Sequence, residues 1–168
     1  MKEAKEKKFS KTALSLIRDD EIIINSLSKL IIPILITFAS YIQFNGEHSP
    51  GGGFQAGILF AMVLIVYSLV FGINKAKKFI NSKKVGFLSI LGVLIYFFTG
   101  LACVMFGGNM FEYSVFYANK PILGNKIGIF IIELGVCVSV FGSVLIIYYS
   151  IFHFIKAHLK YKKTFENN

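Results

Sequence analysis

The sequence predicts an all-α, polytopic membrane protein with four transmembrane helices and both termini in the cytoplasm. Three observations carry that prediction. The 168 residues are 55% hydrophobic and only 16% charged, against about a quarter charged in a typical soluble domain. The charges gather in short blocks, and between them lie four apolar runs, each long enough to cross about 30 Å of hydrocarbon as a helix. The lysines, finally, fall on alternate connections between those runs, which is the pattern that orients membrane helices.

The first run is Ile22 to Phe44, with Lys29 and Pro33 inside it. Lys29 can snorkel to an interface, and Pro33 is tolerable where neighbouring helices satisfy the carbonyl it frees. The second run is Phe54 to Ile73, the third Val85 to Phe106, and the fourth Ile127 to about Phe152. Residues 1–21 read as a cytoplasmic N-terminal segment, 22–153 as one four-helix domain and 154–168 as a basic cytoplasmic tail. The N-terminal segment is too polar for a signal peptide, and the apolar run after it is too long for a signal core. The two halves are each a helical hairpin, without enough likeness to count as a repeat.

Orientation follows from the lysines. The connection between spans two and three carries Lys75, Lys77, Lys78, Lys83 and Lys84, and the end of the chain carries Lys156, Lys160, Lys162 and Lys163. The first hairpin holds Glu47 and no lysine, and the loop from Gly107 to Lys126 holds Glu112, Lys120 and, at its end, Lys126. Those two connections therefore face outward. The net charge of +9 does not point to nucleic acid, because the lysines flank apolar runs and form no aromatic-interleaved face. Cys103 and Cys137 lie singly in apolar runs and read as small buried hydrophobes. No metal site is expected from this set of side chains.

Glu133 is the acid that lies inside a span. It sits about 10 Å from the outer end of its helix at 1.5 Å per residue. A carboxylate in hydrocarbon must be protonated, paired or turned to a wet cavity. Two readings stand side by side: a position in a cation or proton relay, and a polar contact that holds a partner subunit. On the same helix Gly128, Gly135 and Gly142 recur every seven residues, a stripe that lets another helix approach closely. Glu133 points away from it, on a face with Cys137 and Val140.

The stretch "FNGEHSPGGGFQAG", Phe44 to Gly57, is the least ordinary in the chain. Pro50 fixes its own φ and keeps Ser49 out of helical geometry, while Gly51, Gly52 and Gly53 allow close backbone approach. A plain turn and a glycine-rich anion nest are both possible readings. A nucleotide phosphate loop is disfavoured, since no Gly-Lys-Ser/Thr follows. A turn needs one or two glycines, so three suggest packing, with a partner as the expected neighbour. Glu47 and His48 are candidates for the outer mouth of a proton or cation route.

These motifs carry a resemblance. "GEHSPGGGFQAG" resembles the "GHxxPGGGFxGG" signature of the MnhB-like subunit of the multisubunit Na+/H+ antiporters of the Mrp or Mnh type. The later "PILGNKIGIFIIELGV" resembles the family's "PLLG" turn and its helix marked "DLGV". His48, Pro50, Gly51, Gly52, Gly53, Phe54 and Gly57 fall on the first motif. Pro121, Leu123 and Gly124 fall on the second, and Glu133, Leu134, Gly135 and Val136 on the third. Glu47 is an extra residue before His48, Ala56 replaces a common glycine, and Glu133 stands where many members have Asp.

The resemblance implies a four-helix, non-catalytic subunit of a secondary transporter in the bacterial inner membrane. It implies no cofactor, other antiporter subunits as partners within the lipid bilayer, and Na+ and H+ as the ions the complex moves. The chain then contributes to assembly and to the cation or proton pathway. The alternatives are the equivalent membrane-arm subunit of a hydrogenase or respiratory-type complex, or a structural scaffold; genomic neighbourhood separates the first two.

Overall fold

A computed structural model describes residues 2–46, 51–117 and 119–166. The order is α1 (Lys2–Phe44), α2 (Gly53–Phe71), α3 (Ile73–Phe79), α4 (Ser82–Met105), a 3-10 turn (Tyr113–Tyr117) and α5 (Pro121–Glu166). Four of these are long and apolar enough to cross a membrane, over Ile23–Phe44, Gly53–Phe71, Ser82–Met105 and Pro121–Leu159. The fold is all-α and the chain is a multi-pass membrane protein.

The helix ends differ from the expected spans. The polar residues before span one continue it as one helix from Lys2. Span four starts at Pro121 in place of Ile127 and runs on through the basic end of the chain to Glu166. Proline suits a first helical position because its missing N–H has no partner to lose there. Hydropathy marks where a helix is greasy, whereas hydrogen bonding decides where it stops, so polar extensions are invisible to it. The loop between spans three and four is correspondingly shorter than expected, and the connection between spans two and three contains α3, a separate helix set off by Gly72 at φ 94°.

α5 is the central post. α4 and α2 pack along it, while α1 packs on α2 and barely reaches α5. That offset leaves an apolar groove of about 460 Å³ lined by Ile36, Phe60, Leu64, Cys137 and Phe141 among others.

Small residues set the α4–α5 seam. A Cβ on Gly135 would lie 3.0 Å from the Gly92 carbonyl oxygen, and one on Gly142 would lie 2.7 Å from the Ser89 amide nitrogen. Missing side chains on both helices let the backbones touch, which is how apolar helices gain contact in lipid. Hydroxyls tie the post to its neighbours: Ser89 Oγ and Ser143 Oγ are 2.8 Å apart, and Tyr148 OH donates to Ser68 Oγ at 2.9 Å. A buried cluster of Ala61, Val85, Leu145 and Tyr149 closes the lysine-rich end.

Candidate functional site

The glycine hairpin and Glu133 form one site. Gly53 opens α2 directly against α5, where a Cβ would fall on the Glu133 carbonyl and 3.1 Å from the Cys137 amide nitrogen. One turn on, a Cβ at Gly57 would stand 2.6 Å from the Cys137 carbonyl oxygen and 3.0 Å from Val140 Cβ. The four-residue spacing puts both glycines on one face of α2, so α2 and α5 cross with backbone against backbone. The close neighbour of these glycines is thus the chain's own fourth span.

The carboxylate of Glu133 reaches into the hairpin. A Cβ on Gly46 would lie 2.9 Å from each of its oxygens, and one on Gly52 would lie 3.3 Å from Oε1. Gly52 has φ 123°, a backbone conformation that side chains oppose. Both a steric and a conformational reason therefore hold glycine there. Glu133 is half-buried. Phe44 and Phe130 stack at 5.9 Å between centroids one turn away, joining the end of α1 to α5 beside the acid.

Gln43 went unnoticed in the sequence. It lies on α1 one turn before Gly46 and is only 4% exposed, yet neither atom of its amide has a hydrogen-bond partner. Buried amides are ordinarily satisfied, which sets this one apart. A glutamine in an apolar run was the available signal. Likewise, the Gly53/Gly57 spacing was legible as a close-packing pair.

The remaining expected residues are distributed as follows. Pro121 begins α5. A Cβ on Gly124 would lie 2.7 Å from the Tyr113 carbonyl oxygen, and Gly128 faces the Tyr113 ring, so this end of the stripe seats the 3-10 turn. Gly135 and Gly142 face α4. Gly51 leads into α2, and Phe54 is 59% exposed on its outer side. Glu47, His48 and Pro50 lie outside the described residues. Among the described residues no group of three or more His, Cys, Asp or Glu is assembled. Cys103 and Cys137 are both buried free thiols.

Four apolar helices, with α5 at their centre, and an intramembrane acid beside a glycine hairpin define a polytopic membrane protein with a polar site near one end. Comparison with known proteins refines that class. The profile of a domain related to the MnhB subunit of Na+/H+ antiporter matches residues 23–159, and the chain belongs to this family. It is 31% identical over 134 residues to a Staphylococcus haemolyticus protein named "Putative antiporter subunit mnhB2", covering 77% of this chain and 93% of that one. Proteins of the same name from Staphylococcus epidermidis and Staphylococcus aureus are 30% and 29% identical over 138 residues, each covering 80% of this chain and 96% of the relative.

Proposed function

We propose that the chain is a non-catalytic membrane subunit of a multisubunit Na+/H+ antiporter in a bacterial inner membrane, and that Glu133 belongs to its cation or proton path. The observation that carries the site reading is the approach of Gly46 and Gly52 to the Glu133 carboxylate. Keeping an acid at membrane depth is costly, and two glycines bring backbone close against this one. A carboxylate can exchange a proton for a hard cation, which prefers oxygen ligands. The orphan amide of Gln43 near the same hairpin supplies a further oxygen. Family membership and the relatives' names support the assignment to an antiporter, and the lysine asymmetry supports cytoplasmic termini.

A second reading has its own observation. The contacts of Gly53 and Gly57 with α5 make the hairpin a structural clasp, with Glu133 serving to hold it. Glu133→Gln in the assembled complex separates the two, because glutamine keeps the shape and loses the charge. The transport reading expects at least a tenfold loss of Na+-dependent proton flux with the other subunits still co-purifying. Unchanged flux in the assembled variant would overturn it, and loss of the complex would favour the clasp.

A further inference from the structure

The lysine-rich end of the bundle holds a pocket that the Glu133 site does not use. It lies between α3 and α5, has a volume of about 380 Å³, and is lined by Ile73, Asn74, Lys77, Phe152, His153, Lys156 and Ala157. Three of those side chains are basic and none is acidic. Its volume corresponds to roughly a dozen waters, more than a single bare ion fills.

The walls of this pocket are built. Tyr149 on α5 donates its hydroxyl to the Ile80 carbonyl at 3.2 Å, just past the end of α3. The Lys77 ammonium stands 5.4 Å from the centroid of the same Tyr149 ring, within cation–π range. Ile73 and Ile80 pack on the Ala61–Val85–Leu145–Tyr149 cluster. The end of α3 is therefore tied to α5 through Tyr149, and Lys77, which lines the pocket, stands over the Tyr149 ring. On α5, Phe152 and Lys156 are four residues apart and share a face, so apolar wall and cation stand one above the other.

We propose that this pocket binds the phosphate headgroup of an anionic phospholipid. A phosphodiester accepts from Lys77 and Lys156, with His153 and Asn74 beside them, while Ile73 and Phe152 meet the start of the acyl chains. Basic pockets between membrane helices recognise such headgroups. The apolar wall and the place at the end of the spanning helices favour a lipid over free phosphate.

The full-length protein in neutral detergent is titrated with phosphatidylglycerol, phosphatidylcholine or inorganic phosphate, and bound ligand is read by native mass spectrometry. Phosphatidylglycerol is expected to bind at least tenfold more tightly than phosphatidylcholine. Lys77→Gln should weaken it about fivefold and Lys77→Gln with Lys156→Gln about 25-fold, from the attraction of one basic residue for an anionic lipid surface. Lys156→Arg should retain binding, and Lys84→Gln, at the same end but outside the pocket, should leave it unchanged. Equal weakening by Lys84→Gln would mean diffuse surface charge and overturn the proposal. So would unchanged binding in the double variant, or displacement of the lipid by millimolar inorganic phosphate.

Discussion

A methyl group on Gly46 would stand 2.9 Å from both carboxylate oxygens of Glu133. The two residues are far apart in sequence, one just past the end of α1 and the other inside α5. Together with Gly52, whose Cβ would lie 3.3 Å from Oε1, Gly46 brings both flanks of the first hairpin against the one acid in the spans.

Overpacking the α2–α5 crossing should destabilise the fold. Gly57→Ala places a methyl 2.6 Å from the Cys137 carbonyl oxygen, and Gly53→Ala is tighter still. Each is expected to cost about 1–3 kcal/mol, read as a lowered Tm in detergent. Gly86→Ala is the contrast: it is helical with open space around it, so it should be neutral or stabilising by up to about 1 kcal/mol.

Gln43→Leu tests the orphan amide. If the amide holds water or an ion in the pathway, the variant assembles normally and antiport falls several-fold. If it holds nothing, relieving a penalty of about 1–3 kcal/mol raises Tm and leaves flux unchanged.

Ser89 and Ser143 join α4 to α5 through a 2.8 Å hydroxyl contact. Ser89→Ala and Ser143→Ala should be non-additive, with a coupling of about 0.6 kcal/mol, the usual size for such bonds between membrane helices. A double-mutant cycle on unfolding free energy checks it, and strict additivity would show that the contact contributes nothing.

Tyr113 supplies a pH test. Burial pushes its phenol above the ordinary tyrosine value, with smaller contributions from Cys103 and Tyr96. The neutral form is the one the fold favours, so its contribution is complete below the unfolded value near 10. It disappears as pH rises through the higher folded value. The 3-10 turn should therefore loosen only in strong alkali. The difference in phenolate absorbance between wild type and Tyr113→Phe should show a transition above the ordinary tyrosine range.

The four spans were legible because a long apolar run between lysine clusters has no polar face to turn to water, and a bilayer is the solvent that suits it. Glu133 and Gly52 were each conspicuous, one as a charge out of place and the other within a run of glycines. Their juxtaposition was not, because hydropathy and spacing describe one helix at a time, and a crossing depends on two. The stripe at Gly135 and Gly142 announced a close neighbour without saying that the neighbour is α4. Gln43 escaped notice because a single amide near a helix end reads as an ordinary boundary residue until its burial is known.

The central place of α5 bears on how the protein is made. α1 and α2 can pair as soon as both have left the ribosome, but the principal neighbour of α4 is α5, which is synthesised after it. A nascent chain stopped before Pro121 thus leaves one paired hairpin and one helix with its small-residue seam facing lipid. The order of synthesis makes the third span a client of the insertion machinery until the fourth arrives.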